Sequence, residues 1–480
     1  MVGSTVFSRK QLAKQVAPYI GKELTFEEIF QIREAISTLY TNAGYVTSGA
    51  FIPVQDLSSG VVQIQVVEGQ LERIEIQGLR HLDKSYIRAR LRRAGGAPLN
   101  VNRLENALQL LQSDPIIAHI NANLVAGSIP GRNILQVRVK EAPFVHAGLT
   151  VDNSQAPSIG SNEVSPFLRN DDLLGFGDRL SGTYGYTSGL RSYDVSYTIP
   201  VNAEDGTVNI QYSNFDARVI EPPFDVVGIT SKERTLSVGF RQPLVRRPAS
   251  EFALSLSLDL RRERTFILNN IPFSFTTGPQ NGVSKLTVIR FAQDWVHRRT
   301  HQVLAARSQF SVGLGALGAT VNNSGTDGRF FDWVGEFQDV QSLGGNVVSV
   351  ARVAIQLTPN SLLPIEQFSI GGIGTVRGYR QNQLLADNGV LGSYEIRIPV
   401  TPKPNVLQII PFFDLGTVWN NLEADPYPTT LASVGLGLNL AIGSDLNLSI
   451  DFGAPLISVH NLGHSLQDDG IFFSVKYQPF

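Results

Sequence analysis

Residues 251–260, EFALSLSLDL, put Phe252, Leu254, Leu256, Leu258 and Leu260 on one face of an extended chain. Ala253, Ser255, Ser257 and Asp259 fall on the other. Residues 445–452, DLNLSIDF, repeat the pattern, with Leu446, Leu448, Ile450 and Phe452 set against Asp445, Asn447, Ser449 and Asp451. A period of two is the signature of a strand with two unlike sides. A soluble sandwich alternates in the same way, but its apolar face meets a second sheet. In a membrane barrel the apolar face meets lipid and the polar face lines the lumen.

Composition favours the second case. Charged residues are 17% of the 480, against roughly 25% in soluble chains. No run of 18 or more apolar residues occurs, so a membrane helix is excluded. Backbone groups in lipid must be paired internally, so a spanning sheet has to close. Sixteen candidate strands follow from about residue 143: 143–152, 162–169, 178–187, 191–199, 205–213, 233–241, 251–261, 284–294, 303–315, 329–341, 347–357, 389–399, 407–418, 431–441, 445–453 and 471–477. The even number suits a bacterial barrel. If the first strand rises from the inner side, odd-to-even connections lie outside, and the sixth outer loop spans about 358–388. The formal net charge of −2 gives no basic field for nucleic acid. There are no cysteines, hence no disulfides. MVGSTVFSRK lacks an apolar signal-peptide core, although an exported protein needs one, so the sequence is expected to begin after a leader.

The first 142 residues read differently. Helical periodicity covers 8–20 and 26–40, with Thr25 and Glu28 placed for a capping box and Gly44 as the stop. Strand-like runs follow at 47–55 and 61–67. The order then recurs: a strand at 71–77, helices at 83–93 and 102–111 with Asp83 and Asn102 as expected N-caps, and strands near 117–125 and 134–140. Val67-Glu68 matches Lys140-Glu141 at a shift of 73 residues. This is an internal repeat of a β-α-α-β-β unit.

The repeat, with NAGYVTSGAFIPVQ (42–55) and VVQIQVVEGQLERIEIQG (61–78), resembles the POTRA domains of two-partner secretion transporters, the haemolysin and filamentous-haemagglutinin exporters. The usual leading strand and the N-terminal plug helix of some members are not evident. The resemblance implies domains at 1–69 and 70–142, ahead of a 16-stranded all-β transmembrane barrel at 143–480. The sixth outer loop contains FSIGGIGTVRGYRQNQLLADNG (368–389). Its core, Val376, Arg377, Gly378 and Tyr379, resembles the VRGY/F signature of the POTRA-barrel superfamily. There the loop folds into the barrel and its arginine meets lumenal carboxylates. Strand parity supplies candidates. With Tyr394, Ile396 and Ile398 facing lipid, Glu395 faces the lumen. With Phe413 and Leu415 facing lipid, so does Asp414, in an FxDxG run that resembles a further family motif. Arg377, Glu395 and Asp414 are therefore the expected conformational lock.

Other motifs carry less. His297 and His301 stand four apart, but in a strand end and turn, so no metal site is expected. The glycines at 371–378 form neither phosphate-binding pattern, and no nucleotide or other cofactor is expected. Arg246, Arg247, Arg261, Arg262 and Arg264 read as turn or lumen charges. Trp295, Tyr379, Trp419 and Tyr427 are candidates for the interfacial girdle. IFFSVKYQPF (471–480) ends on Phe480, which resembles a barrel-recognition signal, although it is out of phase with Phe473, Val475 and Tyr477.

The resemblance implies a non-enzymatic pore in a Gram-negative-type outer membrane, with its POTRA domains in the periplasm. Its partner would be an unfolded exoprotein bearing an N-terminal secretion domain. The other implied partners are outer-membrane lipid and, during biogenesis, periplasmic chaperones and the barrel assembly machinery. The alternative is an insertase of the same superfamily. Insertases usually carry three or more POTRA domains, whereas two precede this barrel.

Overall fold

The computed structural model describes residues 1–268, 270–461 and 463–479. The chain divides into two compact units, one built from Met1–Ala142 with Leu174–Gly177 and one from Pro143–Leu173 with Asp178–Phe480.

In the first unit, helices α1 (Arg9–Val16) and α2 (Phe26–Asn42) precede strands β1 (Gly49–Phe51) and β2 (Gln65–Val67). Strand β3 (Gln70–Gln77) leads into α3 (Lys84–Ala94), α4 (Val101–Gln112), β4 (Ile117–Ala126) and β5 (Arg132–Glu141). The capping box at Thr25 and Glu28 is formed, and Asp83 caps α3. The cap of α4 is Asn100, not Asn102, which lies inside the helix. Both halves share one topology. β5 pairs parallel with β3 and antiparallel with β4. β2 pairs antiparallel with β1 and accepts a single parallel bridge from Val2, where the leading strand would run.

The run 47–55 yields only three strand residues. Pro53 has no N–H to give, and the Gln55 amide takes over the ladder: it donates to the Gln63 carbonyl at 2.8 Å and accepts from the Gln63 N–H at 2.6 Å. The two glutamates that mark the repeat do the same work. Glu141 accepts backbone N–H bonds from Arg80, His81 and Leu82 at 2.8–3.0 Å. Glu68 accepts from Thr5 and Val6 at 2.7 and 3.0 Å. Each closes the turn that leads into the first helix of its half. Burial works against the charge on Glu141, but these donors outweigh it and hold the carboxyl below its ordinary range.

The second unit is a closed barrel of sixteen long antiparallel strands. The first is Val145–Asp152, and the fourth to eighth are Leu190–Pro200, Thr207–Arg218, Thr230–Arg247, Ser250–Ile267 and Val283–Arg298. The eleventh to sixteenth are Val347–Leu357, Asn388–Pro399, Leu407–Trp419, Thr430–Ile442, Leu446–Pro455 and Ile471–Tyr477. The sixteenth pairs with the first and closes the sheet. Leu256, Leu258, Ile450 and Phe452 are 54, 37, 53 and 51% exposed on the outer wall. So wide an apolar belt belongs in lipid. The sixth and seventh strands run 18 residues each, well past the expected 233–241 and 251–261. The aliphatic alternation stops at the charges in SKER and RRER, but the ladder does not, because backbone pairing continues beyond the hydrocarbon.

Candidate functional site

The connection between the eleventh and twelfth strands turns into the barrel. Phe368–Ile370 pairs with Leu384–Ala386 as a short hairpin, and the residues between them form its tip. Gly371, Gly372 and Gly378 carry φ near +105°, +101° and +92°, a region that side chains rarely adopt. At Gly378 the backbone approaches the fifteenth strand so closely that a Cβ would sit 2.7 Å from the Gly453 carbonyl oxygen. A Cβ on Gly453 would in turn sit 2.6 Å from the Gly378 nitrogen. Glycine meets glycine, and this lets the tip lie flat on the wall.

Arg377 projects from that tip and is 7% exposed. Its Nε and Nη2 donate to the two oxygens of Asp414 at 2.7 and 2.9 Å. Its backbone N–H donates to the same carboxylate at 3.2 Å. Nη1 donates to Glu395 at 3.2 Å and lies 3.5 Å from Asp451. The guanidinium carbon stands 3.5 Å over the Phe412 ring. Ser393 donates to Asp414 at 2.7 Å, and Arg397 holds the other oxygen of Glu395 at 2.7 Å. A planar fork that pairs bidentately and stacks on an aromatic face is a guanidinium's chemistry, not an ammonium's.

The structure thus brings together Arg377, Glu395 and Asp414. It adds Asp451, Phe412 and Gly453, which sequence reasoning did not single out. Asp451 already stood on the polar face of its strand, and that parity was the available signal. Val376 is fully buried among Ile370, Leu384, Leu391, Val418 and Leu431. Tyr379 is buried too, its hydroxyl 2.8 Å from the Ala432 carbonyl and 2.9 Å from that of Ile457, so it is a lumen anchor and not a girdle residue. Phe480 lies outside the described residues.

Two further ion clusters hold the same loop. Glu366 near its start accepts from Arg261 at 2.7 Å and from Arg290 at 2.9 Å, on the seventh and eighth strands. Arg380 pairs with Glu221 at 2.9 Å and with Asp468 at 2.6 Å, each through two nitrogens. Glu221 follows the fifth strand and Asp468 precedes the sixteenth, so Arg380 joins three outer loops. Burial opposes the ionisation of Asp468, but the Arg380 and Ser465 donors prevail and lower its pKa.

Comparison with known proteins agrees with this architecture. The family described as haemolysin secretion/activation protein ShlB/FhaC/HecB matches residues 131–440, and the ShlB-type POTRA domain matches residues 1–69. The outer membrane transporter CdiB of Dickeya dadantii is 23% identical over 459 residues, covering 91% of this chain and 78% of the relative. The heme/hemopexin transporter protein HuxB of Haemophilus influenzae is 20% identical over 471 residues, covering 93% and 80%. Among solved structures, CdiB from Escherichia coli superposes with a TM-score of 0.78 at 21% identity, over 99% of this chain and 89% of that one. Family match, barrel and POTRA module coincide: the chain belongs to the ShlB/FhaC/HecB haemolysin secretion/activation family and is a two-partner secretion transporter of the outer membrane, with its POTRA module in the periplasm.

Proposed function

We propose that the sixth loop is the control element of the pore, and that Arg377 is its lock. The observation that carries this reading is the tip geometry. One buried guanidinium at the loop tip engages carboxylates on three wall strands, so the tip itself is tied to the lumen wall through one charged side chain. Passage of a polypeptide requires the tip to shift, and the shift requires those pairs to break.

The partner is a secreted exoprotein with an N-terminal secretion domain, unfolded in the periplasm. Its capture site is the apolar groove of the first POTRA half, between α2 and the segment after β1. Phe26, Phe30 and Phe51 are exposed there, and Val54 projects fully into solvent. β1 is an edge strand among the described residues, so strand addition can accompany groove binding. Lipid covers the outer belt, and periplasmic chaperones and the barrel assembly machinery deliver the chain to the membrane. Transport uses no catalytic residue; folding of the cargo outside rectifies its motion.

The test is Arg377→Ala, scored both for barrel folding by heat-modifiable migration and for partner released to the medium. A folded, inserted barrel with secretion lost supports the lock. A folded barrel secreting at the full rate removes it and leaves Arg377 a stabilising residue only.

A further inference from the structure

The arginines of the sixth and seventh strands do not share one environment. Arg246 and Arg247 stand at the turn, and Arg261 faces the lumen, where it meets Glu233 and Glu366. Arg262 and Arg264 continue the parity of Leu256, Leu258 and Leu260, and so face outward beyond the aliphatic belt. In the sixth strand, Lys232 and Arg234 continue the outward parity of Leu236, Val238 and Phe240. The register sets Lys232 opposite Arg264 and Arg234 opposite Arg262. All four are exposed. Lys285, on the eighth strand, stands opposite Arg262 and widens the cluster.

Like charges directly opposite each other on a ladder repel. Here two successive steps stack four cations, and the protein supplies little to offset them. Lys232, Arg262 and Arg264 make no ion pair among the described residues, and Arg234 has only a 3.3 Å bond to the neutral Asn214 side chain. The neighbouring carboxylate on this face is Asp216, opposite both Lys232 and Arg191, and it forms no ion pair among the described residues. Glu233 and Glu263, on the same two strands, point to the lumen. The four basic side chains line one shallow pocket.

Depth gives the pocket its meaning. The cluster lies at the outer end of the strands, beside the odd-to-even connections. The row just below it holds Val195, Tyr212, Leu236 and Leu260, and the next holds Tyr197, Ile210, Val238 and Leu258. Tyr193 and Tyr212 pack with ring centroids 5.9 Å apart at the boundary. Tyrosines of this kind mark the membrane–water interface. An aliphatic wall capped by a block of unpaired cations is complementary to a lipid with an anionic headgroup.

We infer that Lys232, Arg234, Arg262 and Arg264 form a binding site for a phosphorylated lipid of the outer leaflet. The phosphates engage the guanidinium forks and the ammonium, and the acyl chains lie along Leu236, Val238, Leu258 and Leu260. Arginine forks match phosphate oxygens in pairs, which favours phosphate over a diffuse carboxylate surface. A bound lipid would also relieve the repulsion between the ladder cations and brace the outer ends of the sixth and seventh strands.

The experiment titrates the full chain, folded in detergent, with bis-phosphorylated lipopolysaccharide and reads occupancy by native mass spectrometry. The fourfold variant Lys232→Gln, Arg234→Gln, Arg262→Gln, Arg264→Gln is expected to bind roughly tenfold or more weakly, about 1.4 kcal/mol or above. Lipid A stripped of its phosphates is expected to bind the unaltered chain equally weakly, an arm that needs no variant to fold. The control Arg247→Gln, Arg298→Gln, Arg299→Gln, at the opposite barrel end, is expected to bind normally. The inference is overturned if the fourfold variant binds like the parent, if the phosphate-free lipid binds as tightly, or if the control loses as much. Full displacement by millimolar inorganic pyrophosphate would assign the pocket to free phosphate and overturn the lipid reading as well.

Discussion

Arg377 and Arg380 stand three residues apart on one loop, and each holds more than one carboxylate, yet their partners differ in kind. The carboxylates around Arg377 sit on the twelfth, thirteenth and fifteenth strands, where ladder pairing fixes their positions. Those around Arg380 sit on two outer loops. Arg377 also shares its cluster with Arg397 and Arg352, which flank Glu395, so three cations face three carboxylates. Arg380 faces two carboxylates alone. The first arrangement anchors a loop to a rigid wall; the second ties loops to one another. On the proposed reading, releasing the first would free the lumen, whereas releasing the second would loosen only the outer cover.

Three substitutions and one change of pH test this contrast. Arg377→Ala should have the largest effect. It leaves Asp414 (0% exposed) without its main partner and takes one arginine from Glu395 (4%), which keeps Arg397, and removing one member of a buried pair costs about 3–5 kcal/mol. Beyond the secretion loss proposed above, unfolding should shift to lower denaturant, and residues 371–383 should become open to protease. Unchanged protection of the tip would mean that the hairpin, not the arginine, holds it.

Gly453→Ala comes next. The added methyl meets loop backbone and not a side chain that can move aside. Overpacking of this kind costs about 1–3 kcal/mol. The tip should lift from the fifteenth strand with Arg377 intact, which separates the contribution of contact from that of charge. Protease sensitivity of the tip, again, is the measurement. Arg380→Ala should cost less, about 1–2 kcal/mol, because its charged hydrogen bonds lie on the outer loops near solvent. Residues 456–470 and 219–229 should exchange amide hydrogens faster while the tip stays protected. Equal loosening of the tip would erase the distinction between lock and tie.

How far the sequence reached follows the same division. Strands announced themselves because lipid and lumen impose opposite demands on alternate residues, and that parity placed Glu395 and Asp414 on the lumen side. It also placed Asp451 there, but parity alone does not say which lumen residue lies beneath a loop from elsewhere. Gly453 was illegible for a related reason. A glycine in a strand reads as a weak point until the opposing backbone is known. The arginines of the seventh strand show the limit of reading charge as lumen. Once a strand outruns the hydrocarbon, outward positions become polar, and composition no longer tells inside from outside. In the first unit, Asn100 outranked Asn102 as cap because the helix begins two residues earlier than its apolar period suggests.

The smallest expected effect is that of acid on the outer tie, and its sign follows from Asp468. Its pKa is held below the ordinary value near 3.8 by Arg380 and Ser465, against the opposing influence of burial. A carboxyl depressed in the folded state adds stability that is complete above its unfolded pKa and is lost as pH falls through the folded one. Between pH 7 and 5 the tie should therefore be constant. Below about pH 4 it should weaken, and exchange in residues 456–470, corrected for its intrinsic pH dependence, should rise. Asp468→Asn should start looser at pH 7 and respond less to acid, because the titrating group is gone. A parent chain whose 456–470 segment opens between pH 7 and 5 would contradict the sign. An Asp468→Asn chain with the parent's full acid response would assign that response to another group. Either result would leave Arg380 as a geometric fastener and not an electrostatic one.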